Sequence, residues 1–461
     1  MNSAANPLPN HFLHRRALLG LGAGSALAGA MPGVWAQPAP AGAAATRPGS
    51  GRLVVVFLRG AYDGLSAFVP HADADYYAIR PNIAIPAPDG TAQTSLRLDG
   101  TFALHPALAP LLPLWQQGVL GMVPAAGLPV PNRSHFDAQY QMEIARTGKT
   151  SSAPGWLNQL AGLGRTQDGA AALGVGEANP AILGGPAPIK LIARGQAAER
   201  TGVLADDRTR QALLDLYAGQ DPLSEAFRQG AGSRLQSARE LTAEKIGTEP
   251  GGMASAPDRR MADAVLDRGG TPASPALRSA QMLAASNGAP DPVGLQLDAR
   301  HLGTLMRNDG RLRLGFLSAG GWDTHANQGA AAGALANNLG NLARGVVQLR
   351  QDFSRPGDVI LVMSEFGRTG AENGTRGTDH GFGNALWLIG NRVAGGRWHG
   401  DWTGLARGNL NEGRDLPAHH DYRAVLAQVL RSGFGLGDSQ LADLLPGTRW
   451  DARLDGLLHR A

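Results

Sequence analysis

The sequence predicts an α/β fold on a mostly parallel sheet. Three observations carry that expectation. Arg52 to Leu58 is a continuous apolar run rich in β-branched residues, which suits a strand buried on both faces. Asp358 to Met363 has the same character, and Arg311 to Leu317 also reads as a strand. Between those two, Leu335, Leu339, Leu342, Val346, Leu349 and Phe353 recur at alternating steps of four and three, the pattern of a helix with one buried stripe. Strand, helix and strand in that order give a right-handed crossover, with both strands ending at one edge of the sheet.

The other elements follow in chain order. Pro106 to Gln117 reads as a short helix with proline in its first turn and Gly118 after its end. Asp73 to Pro88 reads as a loop, and Val119 to Pro124 as a second short strand. A helix runs from the Pro131-Asn132-Arg133-Ser134-His135-Phe136 segment to about Arg146, and Thr150 to Leu160 leads into another. Ala205 to Ala218, Pro222 to Lys245, Arg259 to Asp267 and Ser274 to Ser286 are helical, so residues of about 190–300 read as a helical insertion over one side of the sheet. Ala385 to Ile389 is a further strand, and Asp421 caps the last main helix, which Gly433 ends.

Composition narrows the function classes. The 461 residues suffice for one large domain or two modest ones. With no cysteine, disulfides, thiolate metal sites and cysteine nucleophiles are excluded, so any metal must be held by nitrogen and oxygen. The net charge of +4 comes from interspersed acids and bases, and no basic stripe points to nucleic acid. At the N-terminus, paired Arg15 and Arg16 precede a weakly hydrophobic Gly-Ala stretch and a small-residue cleavage site around Val34-Trp35-Ala36. Residues 1–36 therefore resemble a twin-arginine export signal, and the Pro/Ala-rich residues 37–51 a linker, leaving 52–461 as the folded part. The expected destination is the periplasm or the exterior. No other run of about 20 apolar residues occurs, so no membrane span is expected after cleavage.

Chemistry-bearing residues gather in the turns after the strands, and in an open α/β sheet such turns form the binding crevice. Asp63 follows the first strand, Ser134 opens the helix after the second, Asp323 and His325 follow the third, and Glu365 and Arg368 follow the fourth. Asp379 and His380 precede the last. Each has a plainer reading alone: Asp63 as a turn aspartate, Ser134 as an N-cap, Asp323 and His325 as turn and cap. Together the acids would repel one another unless a cation lay among them. Asp63, Asp323, His325, Asp379 and His380 are thus candidate ligands for one or two divalent ions. Imidazole with carboxylate suits Zn²⁺ or Mn²⁺, and Mg²⁺ or Ca²⁺ if oxygen dominates. Ser134 is a candidate nucleophile, His135 an assisting group, and Arg133 or Arg368 a stabiliser of developing negative charge.

The export signal, Phe57 to Leu65, Asn132 to Phe136, Gly321 to His325, Ser364 to Thr369 and Thr378 to Gly381 together resemble the exported family catalogued as domain of unknown function 1501. That family is placed in the alkaline-phosphatase-like superfamily of phosphatases and sulfatases. The resemblance implies a three-layer α/β/α fold and metal-dependent hydrolysis of phosphate or sulfate esters, with a small ester or a sulfated or phosphorylated glycan as substrate. It implies Asp63, Asp323, His325, Asp379 and His380 as ligands and Ser134 as nucleophile. The superfamily has three residues between the acid and histidine of one pair, where this chain has Thr324 alone, and His399 is the candidate for its last metal histidine. Glu365 has no counterpart role there. A non-catalytic cell-envelope or polysaccharide-binding protein that keeps the fold is the alternative.

Overall fold

Strand β1, Leu53–Leu58, lies at the centre of a nine-stranded sheet. Its alternate residues enter two separate cores, Leu53, Val55 and Phe57 on one face and Val54, Val56 and Leu58 on the other. The computed structural model describes residues 51–148, 152–163, 169–248 and 275–459. The expected export signal, most of the linker and the Arg259 to Asp267 helix lie outside them. Residues Thr46–Ala461 form one compact unit, and the rest of the chain, Met1–Ala45, falls outside the described residues.

The remaining strands are β2, Leu120–Gly127; β3, Ala172–Val175; β4, Ile189–Ile192; β5, Leu314–Ala319; β6, Val359–Ser364; β7, Asn384–Ile389; β8, Arg397–Trp398; and β9, His420–Asp421. They run in the order β8-β2-β7-β6-β1-β5-β3-β4, with β9 also on β2. Pairing is parallel except for β7, which is antiparallel to both β2 and β6. Strands β5 and β6 flank β1 in matching register, Leu58 opposite Ala319 on one side and Ser364 on the other. The turns after β1, β5 and β6 therefore leave at one edge, and the segment entering β7 arrives there.

Four helices position the site or line the cores: α1, His135–Ile144; α2, Leu295–Asn308; α3, Ala334–Asp352; and α4, Tyr422–Phe434. Helix α3 carries the expected stripe, with Leu335, Leu339, Leu342, Val346 and Leu349 in the second core beside Leu302 and Leu305 of α2. Met142 of α1 and Val425 and Leu430 of α4 pack on the first.

Some expectations give way to local chemistry. Pro106 to Gln117 splits into a 3₁₀ turn, Pro106–Leu111, and a short helix, Leu112–Gln116, because Pro110 and Pro113 supply no N–H to a continuous helix. The expected loop from Asp73 holds a helix, Ala74–Ile79, whose cap is the Asp73 side chain accepting from the Asp75 N–H. Strands β3 and β4 were not expected, being four residues each and too short to show a period. The insertion therefore begins with an edge strand. Its helices Asp207–Leu216, Pro222–Thr248 and Pro275–Ser286 follow, but α2 is part of the second core.

A buried ion pair fixes the start of the sheet. Arg52 donates through Nε and a terminal nitrogen to Asp358 at 3.1 and 2.6 Å, joining the residues before β1 and β6. Asp358→Ala would leave that guanidinium buried without its counter-charge, and we expect a loss of about 3–5 kcal/mol in denaturant unfolding.

Candidate metal centre

The edge where β1, β5 and β6 end collects most of the residues singled out by sequence. Asp323 arrives from β5, Glu365 from β6, His380 from the approach to β7, and His135 from the first turn of α1. His135 Nε2 lies 2.9 Å from His380 Nε2 and 3.5 Å from Asp323 Oδ1, and His380 Nε2 lies 3.3 Å from that same oxygen. These three form a group able to hold a metal ion. With bonds of about 2.0–2.1 Å, ligand atoms on a tetrahedral ion stand roughly 3.3 Å apart, which these separations bracket. His325 Nε2 lies against one side of the triangle, 2.9 Å from Asp323 Oδ1 and 3.0 Å from His380 Nε2.

The protons explain why these atoms meet. His135 Nδ1 faces Glu365 Oε1 at 2.8 Å, His325 Nδ1 faces Asp379 Oδ1 at 3.1 Å, and His380 Nδ1 faces the Arg133 carbonyl at 2.9 Å. A carbonyl and an ionised carboxylate only accept, so each Nδ1 carries the hydrogen and each neutral ring turns the Nε2 lone pair inward. Three lone pairs and a carboxylate oxygen then converge, and positive charge among them relieves the repulsion. A proton supplies some of it. Burial would lower His135, but hydrogen bonds and charge from Asp323 and Glu365 outweigh it and raise His135 to about 9. Asp323, which burial would raise, is held well below the usual carboxylate range by His135, His325, His380 and Arg368.

Behind the triangle is a saturated layer. Glu365 is fully buried, and its Oε1 accepts from the Gly60 N–H at 2.8 Å and Gln139 Nε2 at 2.9 Å, while Ser364 Oγ donates to Oε2. Burial raises this carboxyl and the donors, His135 foremost, bring it below its ordinary value. Gly60 can donate because its φ of +110° turns the N–H inward, and a Cβ there would stand 2.9 Å from the Asp323 nitrogen. Gln139 Oε1 accepts from Arg59, which also pairs with Glu143 and Glu177. Phe366 stacks on the His135 ring at 4.8 Å.

Several expected roles are corrected. Asp63 is not with the histidines: Arg80 holds it through two nitrogens at 2.6 and 3.1 Å, and Ser66 and Gln328 complete its shell. An arginine stands where an ion was expected. Ser134 is the N-cap of α1, its Oγ accepting from the Asp137 N–H, with no base bonded to that oxygen among the described contacts. Arg133 turns its guanidinium to Glu412 and Asp415, and only its carbonyl serves the centre. Arg368 donates to the carbonyls of Gly60, Ala61, Trp322 and Thr378 and to Asp323 Oδ1, so it clamps the turns together. Asp379 orients His325 instead of joining His380 on an ion, and His399 bonds the Ala394 carbonyl away from the centre. The loop from Gly370 to Gly377 is stitched to the 325–328 segment: Asn373 and Thr375 donate to the His325 carbonyl, and the Gln328 N–H donates to the Arg376 carbonyl.

Reading by sequence missed Gln139, Gly60 and Arg80. Gln139 was within reach, since it stands one helical turn after His135 on the same face. Arg80 had no local signal.

A family model described as a protein of unknown function (DUF1501) matches residues 114–445. The chain belongs to that family. The DUF1501 match takes in His135, Asp323, His325, Glu365, Asp379 and His380, and leaves out Gly60, Asp63 and Arg80. No curated protein matches the chain.

Two measurements check these assignments. Glu365→Gln and Asp379→Ala remove contacts behind the ligands, and each should weaken Zn²⁺ binding by about 10–100-fold in a chelator competition. Asp63→Asn should leave the bound metal per folded chain unchanged while destabilising the fold by about 3–5 kcal/mol, because Arg80 stays buried unpaired. Folding lowers the Asp63 pKa, burial being outweighed by Arg80. The stabilisation it gives is present above the unfolded value of about 3.9 and is lost as pH falls through the folded value, so the variant should lose less stability in acid than the parent chain.

Proposed function

We propose that the chain is an exported metal-dependent hydrolase of phosphate or sulfate esters, with the alkaline-phosphatase-like three-layer fold. The observation that carries the reading is the convergence of His135 Nε2, His380 Nε2 and Asp323 Oδ1 with every opposing Nδ1 held by an acceptor. Two or three imidazoles with one carboxylate suit Zn²⁺ or Mn²⁺, a set that ferrous iron shares. Such an ion supplies Lewis acidity and a water activated near neutral pH. The chain's own part is to hold it: Glu365 and the Arg133 carbonyl fix the ligand tautomers, and Arg368 keeps the loops in register while balancing Asp323. Ser134 is not needed as a nucleophile in this reading. The substrate class rests on the family's superfamily placement and the edge position of the centre, with a small ester or a sulfated or phosphorylated glycan the proposed ligand. Export through the twin-arginine route, from residues 1–36 to the periplasm or exterior, agrees with a protein that acquires its ion before translocation.

One observation favours a second reading, a non-catalytic cell-envelope or polysaccharide-binding protein. Both arginines expected to bind an oxyanion are committed to protein groups, Arg368 to four carbonyls and Asp323, and Arg133 to the acids Glu412 and Asp415.

Elemental analysis of the exported, folded protein, followed by a panel of aryl phosphates and aryl sulfates, separates the two. We expect one equivalent of a divalent metal and turnover that falls at least about 1,000-fold in His380→Ala, the scale of losing a principal electrostatic contributor. Bound metal with no turnover across the panel would favour the binding protein, and no metal uptake would end the hydrolase reading.

A further inference from the structure

The third imidazole at the centre, His325, differs from the other ligand candidates in three ways. His135 and Asp323 are buried, with side chains 8% and 6% exposed, and His380 is 26% exposed, whereas His325 is 39% exposed. The carboxylate behind it, Asp379, is 54% exposed, whereas Glu365 behind His135 is fully buried. And His325 Nε2 contacts only the Asp323–His380 side of the triangle.

We propose that His325 is an exchangeable fourth ligand, which caps the ion at rest and gives way to an anionic substrate oxygen. The inference rests on the metal reading above and adds how the site opens. A closed four-ligand shell is the form of a structural site, and a catalytic one keeps a position for water or substrate. Here the same four side chains serve both states, because the ligand on the solvent side is the one with the least burial behind it. The tautomer is already set for ligation, with Nδ1 donating to Asp379 and Nε2 turned inward. Leaving the ion takes a side-chain rotation that gives up the Nδ1 contact to the half-exposed Asp379, while the His325 carbonyl stays pinned by Asn373 and Thr375. The site therefore opens without moving the buried triangle or the strand ends that hold it.

The test uses the mature full chain, stripped and reloaded with Co²⁺, whose visible absorption reports coordination. His325→Ala and His325→Gln should keep one equivalent of Co²⁺, lose part of the parent spectrum and regain it when free imidazole is added. Inorganic phosphate should shift the parent spectrum toward that of the phosphate-treated variants. The Zn²⁺ Kd should rise in both variants by more than it does in Asp379→Ala, for which about 10–100-fold is expected. Uptake of Co²⁺ with the same spectrum and affinity in parent and variants would overturn the fourth-ligand assignment and leave the triangle standing. A parent spectrum unmoved by phosphate, with altered variants, would overturn the exchange and make His325 a fixed ligand. Absence of Co²⁺ and Zn²⁺ uptake by the parent chain would remove the metal reading itself.

Discussion

The guanidinium of Arg368 is the joint on which the edge of the sheet depends. It donates to four backbone carbonyls and one carboxylate, drawn from the turn after β1, the turn after β5 and the approach to β7. Those segments are far apart in sequence, and the parallel ladders that align them end at Leu58, Ala319 and Ser364. A buried guanidinium needs partners to offset its desolvation, and here each of its three nitrogens has at least one. The clamp sets Asp323 at a fixed point beside His380, and it leaves the Gly60 N–H facing Glu365. Glycines tighten the same joint: a Cβ at Gly381 would meet the Arg368 carbonyl carbon at 2.4 Å, and one at Gly367 the Gly383 oxygen at 1.9 Å. The glycine density around the motifs is thus a steric condition for the clamp.

Much of the frame was legible in the sequence, and for a clear reason. The central strands are buried on both faces, so their apolar runs are unbroken, and helix α3 covers them with a stripe of unambiguous period. From these alone the turns after β1, β5 and β6 fall at one edge, and the acids and histidines there were found. What stayed hidden depends on contacts distant in sequence or on very short elements. Strands β3 and β4 have too few residues to show alternation. Helix α2 was passed over because its buried positions include Asp298, His301 and Thr304, which break the apolar pattern that marks α3.

The roles within the site were less legible than its membership. Residue type says that an aspartate can bind an ion, but not whether an arginine reaches it first, as Arg80 does for Asp63. His135 read as an assisting group because Ser134 beside it drew the nucleophile role. The structure reverses the two, since an N-cap faces its own helix while the next residue faces the sheet edge. The adjacent pair Asp379-His380 suggested two ligands on one ion. Consecutive side chains point apart, however, and here His380 reaches the triangle while Asp379 reaches His325.

Charge balance around the edge then picks out one place for an ion. Asp63 has Arg80, and that pair is closed. Glu365 is met by four donors from Gly60, Ser364, His135 and Gln139, all of them protein groups. Asp323 also has an arginine, but its Oδ1 is shared with three imidazole nitrogens whose other nitrogens are committed as donors. A guanidinium cannot relieve nitrogen lone pairs that face one another, because it would have to enter the space between them. A small cation can. Among the described carboxylates at this edge, Asp323 is the one that shares an oxygen with a group of imidazole nitrogens able to hold an ion.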